Sequence, residues 1–221
     1  MKYKLVIFDL DGTLVDTIAD LGAAANAVLA ANGLPQHEPE AFRGMVGHGV
    51  RNLVKQSMPE AMREDDCAVD ALLDQFLPYY FDHLDDRSRP YPGMPELLAD
   101  LQAAGVRLAV ASNKFQAGTE KLIGRMFPDI TFAAVLGGRP GEPLKPDPAI
   151  VDEIRERTGI SSRETVMVGD SGTDIATAGA AGVDCVAVSW GFRSREALSA
   201  APRIVDSVAQ LRALLFPNNE D

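Results

Sequence analysis

The stretch "KLVIFDLDGTLVD" (Lys4–Asp16) decides how the rest of the chain is read. Leu5, Val6, Ile7 and Phe8 form a short apolar run, the pattern of a strand buried on both faces of a parallel sheet. Asp9 and Asp11 follow at once, one residue apart, and Gly12 then permits a sharp exit from the sheet. Side chains alternate along an extended chain, so positions i and i+2 share a direction unless the backbone turns, and both carboxylates can serve one site.

The same kind of run returns four times, as "VRLAVAS" (Val106–Ser112), "FAAVLG" (Phe132–Gly137), "TVMVGD" (Thr165–Asp170) and "VDCVAVS" (Val183–Ser189). Interleaved with these are stretches of helical spacing, "MPELLADLQAAG", "AGTEKLIGRMF", "PAIVDEIRERTG" and "TDIATAGAAG", three of which end at the helix-stopping residue Gly. Such alternation predicts an α/β fold with a doubly wound, parallel, Rossmann-like sheet. Asp147, just before Pro148, is expected to cap the helix that Pro148 opens.

One segment breaks the rhythm. Between the first strand and Tyr91 no strand pattern is found, and "ADLGAAANAVLAANG", "VRNLVKQSM" and "CAVDALLDQFLPYYFDHL" carry helical spacing instead. An all-helical insert of about 70 residues is larger than any ordinary loop. The expected division is a core of residues 1–14 and 88–221 and an inserted helical domain of residues 15–87, with "DDRSRPYPG" suited to a hinge and "FPNNED" to a frayed end.

The 221 residues carry a formal net charge of −11 and 46% hydrophobic residues, enough for a large core. An acidic surface without a Lys/Arg run repels phosphate backbones and anionic lipid, so neither nucleic acid nor membrane is an expected partner. Cys67 and Cys185 have no metal-ligand spacing and read as free thiols. The first apolar run is too short for a secretory signal, no run reaches the ~18 residues of a membrane span, and the cytoplasm is the expected compartment.

Three of the expected strands end in polar groups, "FDLD", "ASNK" and "VGDSGTD", and ligands of open α/β sheets sit beyond the carboxyl ends of strands. Alone, a D-x-D reads as a strand end with solvated acids, and Asp170 or Ser171 as a helix N-cap. Taken together, Asp9, Asp11, Asp170 and Asp174 at one sheet edge would repel strongly without a cation, and Mg²⁺ is the hard, oxygen-seeking ion that suits them.

These residues resemble the four motifs of the haloacid dehalogenase-like (HAD) hydrolase superfamily, in order and over nearly the whole chain. They are D-x-D-G-T at Asp9–Thr13, a strand-end Ser112, a lone Lys145 in "PLKPDP", and G-D-x-x-x-D at Gly169–Asp174. The helical insert after the first motif is similar to the cap of the phosphoglycolate phosphatase branch. The resemblance implies that Asp9 is the nucleophile, forming an aspartyl-phosphate, and that Asp11 protonates the leaving alcohol and then deprotonates the attacking water. It implies Mg²⁺ on the Asp9 and Asp170 carboxylates and the Asp11 main-chain carbonyl, with Asp174 behind them steering a water or Lys145. Ser112, the Asn113 N–H and Lys145 would cradle the phosphate.

The implied activity is Mg²⁺-dependent hydrolysis of a small organic phosphomonoester, 2-phosphoglycolate first. A sugar phosphomutase or an inorganic pyrophosphatase shares the motifs, whereas the dehalogenases lack the second acid, here Asp11. A phospho-acceptor signalling receiver also sets Asp, Ser/Thr and Lys around Mg²⁺, but is shorter and has no insert. The expected partner is a small phosphate ester, and the chain could be a monomer or a homodimer. In the insert, "GHGVR" reads as the substrate-reading loop: Gly47 and Gly49 permit close approach, His48 can donate a hydrogen bond, and Arg51 can grip a carboxylate. His37, His83 and Trp190 read as ordinary packing or surface residues.

Overall fold

The computed structural model describes residues 2–216, so all of "FPNNED" except Phe216 lies outside the described residues. β1 (Leu5–Phe8) lies inside a six-stranded sheet between β4 (Arg107–Phe115) and β6 (Thr165–Gly169). β5 (Phe132–Gly138) forms one edge beyond β4, while β7 (Asp184–Val188) and β8 (Ile204–Val205) continue beyond β6. Every adjacent pair is parallel. β8 and α9 (Val208–Leu215) extend the fold past the last strand expected from the sequence.

The apolar runs are continuous because both faces of the sheet are covered, and alternation sorts them. Leu5 and Ile7 join Ala109, Ala111 and Met167 in one core, against α7 (Ala149–Thr158) and α8 (Gly172–Ala180). Val6 and Phe8 join Leu108, Val110, Val166 and Val168 in the other, against α5 (Met94–Ala103), α6 (Gln116–Met126) and α9. Asp147 accepts a hydrogen bond from the Ala149 N–H at 2.9 Å but stands one residue before the cap position of α7, which Pro148 takes, a shift from the expectation.

From β1 the chain passes to β4 and β5 on one side, then crosses back to β6, β7 and β8 on the other. The crevice between the carboxyl ends of β1 and β6 is therefore a topological switch point, where such sheets bind ligands. Asp9 and Asp170 follow those two strand ends.

The segment after β1 is helical as expected, with one correction. Two short strands, β2 (Val15–Asp16) and β3 (Arg89–Pro90), pair antiparallel where the sequence showed no strand pattern, because a two-residue strand has no periodicity to detect. Between them run α1 (Ile18–Ala31), α2 (Phe42–Met45), α3 (Val50–Ser57) and α4 (Asp66–His83). α4 continues through Pro78, which removes one helix hydrogen bond, while Phe76 and Tyr80 on either side are almost fully buried. Among the described residues no helix is long and apolar enough to cross a membrane.

One carboxylate ties the outgoing and returning chains. Asp20 of α1 is buried and accepts hydrogen bonds from the Arg87 N–H at 3.0 Å, the Ser88 N–H at 2.7 Å and the Ser88 hydroxyl at 2.7 Å. Hydrogen bonds to a charged acceptor are each worth about 1.5–3 kcal/mol, and removing the acceptor strands its buried donors. Asp20→Ala is expected to destabilise the fold by about 2–4 kcal/mol in chemical denaturation; a change under about 0.5 kcal/mol, the size of an ordinary surface substitution, would show that Asp20 is no staple.

Candidate active site

The β1 ladder runs one residue past the strand, with the Asp9 N–H donating to the Val168 carbonyl at 2.9 Å, so Asp9 is fixed by the sheet itself. Its Oδ1 accepts the Leu10 N–H at 2.7 Å and lies 3.0 Å from Lys145 Nζ. Its Oδ2 has no hydrogen bond among the described residues. Lys145 is buried, and its Nζ also donates to Asp174 Oδ1 at 2.6 Å. Asn113 aims the Lys145 loop: its Oδ1 accepts the Lys145 N–H at 2.8 Å and its Nδ2 donates to the Lys145 carbonyl at 2.9 Å.

Asp174 is locked by a capping box at the start of α8. Ser171 donates to Asp174 Oδ2 through its N–H at 3.1 Å and its hydroxyl at 2.6 Å. Asp170 Oδ2 accepts the Phe192 N–H at 2.6 Å. A Cβ on either Gly12 or Gly191 would stand 2.4 Å from that oxygen, so both glycines are needed for the backbone to close around the carboxylate.

Asp9, Asp170 and Asp174 are all buried, and each offers an oxygen within 4.8 Å of the others. Burial, then the charge of Asp174, pushes Asp9 up to about 8 and Asp170 up to about 7. At Lys145 burial disfavours the ammonium, but Asp174 and Asp9 outweigh it and hold the group above the ordinary lysine value. An all-oxygen donor set with excess negative charge fits a hard divalent cation. Asp174 is committed to Lys145 and Ser171, whereas Asp9 and Asp170 line the cavity, so these two would present oxygens to the metal.

The Asp11 carboxylate points elsewhere. It accepts the Thr17 hydroxyl at 2.7 Å and lies 3.1 Å from Lys114 Nζ, which also donates to the Tyr80 hydroxyl of α4. Burial lowers Lys114 below the ordinary lysine value, with Asp11 opposing the shift. β4 supplies Ser112, Asn113 and Lys114 together because its register against β5 shifts between Ala111 and Phe115, an irregularity that re-aims side chains next to a site.

The cavity lies between the sheet end and the helical segment. Of the expected site residues, Asp9, Asp11, Gly47, Ser112, Asn113, Lys145 and Asp170 line it, with Asp174 fully buried beside Lys145. His48 and Arg51 are not among its lining residues. α3 buries Leu53, Val54 and Ser57, which turns Arg51 outward to bond Asp66 at 2.7 Å and Asp70 at 2.8 Å, and Lys55 to Glu64 at 3.1 Å. Trp190 donates to the Thr13 carbonyl at 3.2 Å, His37 lies 2.6 Å from the Ser57 carbonyl, and both cysteines are free.

The lining residues that the sequence reading missed are chiefly Lys114, Tyr80, Phe192 and Arg193. Lys114 stands in the same "ASNK" as Ser112 and Asn113, two residues from Ser112, a spacing that could have singled it out. Phe192 and Arg193 follow the last long strand with no motif around them.

The family pattern of haloacid dehalogenase-like hydrolases matches residues 6–188. A phosphoglycolate phosphatase from Mesorhizobium japonicum is 39% identical over 208 residues, covering 94% of this chain and 92% of that protein. One from Agrobacterium fabrum is 36% identical over 216 residues, covering 96% and 92%. The crystal structure of a protein assigned as a phosphoglycolate phosphatase, from Lactobacillus delbrueckii subsp. bulgaricus, aligns with a TM-score of 0.91 at 34% identity, over 98% of this chain and 100% of that one. The match spans most of the chain and runs from the strand that presents Asp9 through the one that presents Asp170, so the chain belongs to the haloacid dehalogenase-like hydrolases.

Proposed function

We propose that this phosphatase hydrolyses small organic phosphomonoesters, with 2-phosphoglycolate as its first substrate, through an aspartyl-phosphate on Asp9 and with Mg²⁺ as cofactor. The observation that carries the reading is Asp9 itself. The sheet fixes its backbone, Leu10 and Lys145 occupy one carboxylate oxygen, and the other is unbonded among the described residues. The relatives named above, both phosphoglycolate phosphatases, support the substrate.

In the first step the free Asp9 oxygen forms a bond to phosphorus as the bond to the ester oxygen breaks, and Asp11 gives that oxygen a proton. In the second step Asp11 takes a proton from a water that attacks phosphorus, which releases inorganic phosphate and restores Asp9. Lys145 and Ser112 face the phosphoryl oxygens from the core side, and Lys114 and Thr17 hold the Asp11 carboxylate in place. Asp9 and Asp170 would hold the divalent cation, which when bound would supply positive charge that lets these acids ionise together and offsets the negative charge of the phosphoryl group. The helices of residues 15–87 act as a cap that excludes bulk water, and the enzyme works in the cytoplasm.

Asp9→Asn keeps the shape and removes the nucleophile, so turnover of 2-phosphoglycolate is expected to fall ~10³-fold or more. A purified variant that keeps a tenth of the parent rate would rule out covalent catalysis. Asp11→Asn is expected to lose about 10²–10⁴-fold on alkyl esters and markedly less on p-nitrophenyl phosphate, whose leaving group hardly needs a proton. Equal losses on the two would remove Asp11 from the role of acid.

A third expectation concerns pH. In the metal-free protein Asp9 at about 8 and Asp170 at about 7 lie above the ordinary carboxylate value of 3.8. Between these values the folded chain holds protons that the unfolded chain has released, so this contribution to stability falls as pH rises from about 4 to about 8. Mg²⁺ binds the ionised pair and should reverse the loss. The Tm gain from Mg²⁺ is therefore expected to grow between about pH 5 and pH 8; a gain independent of pH would place the ion elsewhere.

A further inference from the structure

Six charged residues line the cavity: Asp9, Asp11, Asp170, Lys114, Lys145 and Arg193. Lys145 is paired with Asp9 and Asp174, and Lys114 with Asp11. Arg193 is the one lining cation in no ion pair among the described residues; its charge reaches Asp170 only at longer range, where burial and Asp174 raise that carboxyl and Arg193 partly offsets them. Its two named bonds go to main-chain oxygens of the helical segment, Nη1 to the Arg43 carbonyl and Nη2 to the Val46 carbonyl. Carbonyls orient a guanidinium without neutralising it, and the group has five N–H donors, so some remain for a ligand.

We propose that Arg193 determines specificity by binding a carboxylate on the substrate, at the end remote from phosphorus. The inference rests on the phosphatase reading above and assigns the role the sequence had suggested for Arg51. Arg193 follows Phe192, whose N–H holds Asp170, so its backbone is anchored next to the acids that meet the phosphoryl end. The carbonyl bonds hold it in place before any ligand arrives, which lowers the ordering cost of binding. Gly47 leaves it room: a Cβ there would stand 3.4 Å from Arg193 Nη2, and Asn113 Nδ2 fixes the Gly47 carbonyl at 2.9 Å. A guanidinium can grip both carboxylate oxygens in a geometry that an ammonium cannot reproduce.

Arg43 provides the control. It donates to the Gly191 carbonyl at 3.2 Å and its guanidinium lies 5.8 Å from the Phe192 ring centre, so it shares the clasp between helices and core but does not line the cavity. The experiment measures kcat/KM for carboxylated esters (2-phosphoglycolate, 3-phosphoglycerate, O-phosphoserine) against ethyl phosphate, which has a methyl group where 2-phosphoglycolate has its carboxylate. The proteins are the parent, Arg193→Met, Arg193→Lys and Arg43→Ala, each checked for folding by circular dichroism.

Arg193→Met is expected to reduce the parent's preference for the carboxylated ester ~10-fold or more, with partial recovery in Arg193→Lys. Arg43→Ala is expected to slow all esters alike. A parent that ignores 2-phosphoglycolate but prefers another carboxylated ester, with the preference lost in Arg193→Met, would overturn the named substrate and support Arg193. Equal losses on both kinds of ester in Arg193→Met would overturn the assignment and leave Arg193 as a clasp alone. So would a parent with no preference for any carboxylated ester, or the same loss of preference in Arg43→Ala.

Discussion

The repulsion among the buried carboxylates of Asp9, Asp170 and Asp174 is the constraint around which the site is built. Like charges 4 Å apart repel by roughly 4 kcal/mol at an effective dielectric of about 20, more than an average hydrogen bond returns. Lys145 relieves two of the three acids directly, and burial with the remaining charge raises Asp9 and Asp170. Much of the surrounding detail serves this cluster. Asn113 orients the Lys145 backbone, Ser171 locks Asp174, and Gly12 and Gly191 leave space for Asp170. A cluster held at this electrostatic cost is one that a bound cation would relieve.

The helical segment supplies a different kind of chemistry. It brings no carboxylate to the acidic cluster; its lining residues are Leu21, Val46, Val50, Leu53, Tyr80 and the two glycines of the 47–49 loop. Apolar walls lower the local dielectric, which strengthens the charged contacts on the core side. Some of the polar links between segment and core lie at this cavity: Tyr80 to Lys114, Asn113 to Gly47, and Arg193 to the Arg43 and Val46 carbonyls. The packing of the helices on the sheet end thereby helps to position Lys114 and Arg193.

The sequence reading succeeded where a local pattern and the fold imposed the same answer. Asp9 and Asp170 follow the ends of β1 and β6, which alternation and turn residues mark, and a parallel sheet brings such ends together; Ser112, expected at a strand end, lies inside β4, which runs on to Phe115. Arg51 stands outside the cavity wall for a physical reason. The apolar face of α3 settles which way that helix turns, but the acids that receive Arg51, Asp66 and Asp70, belong to α4, and packing between helices is not written in the spacing of either one. Lys114 lies beyond the strand expected to end at Ser112, and the acid that faces it, Asp11, is distant in sequence, so no local pattern marks it.

Residue order alone specified the alternating strands and helices, the helical insertion after β1 and the acids at strand ends, because each is a short-range signal of periodicity, turn chemistry or motif spacing. Tertiary structure decided the rest. It set the strand order that places β1 between β4 and β6, the direction in which Asp11 turns toward Lys114, and the placement of Arg193, rather than Arg51, in the cavity wall. Those outcomes depend on which distant segments meet, and a meeting such as that of residue 193 with residues 43 and 46 is fixed only when the core and the helices pack against each other.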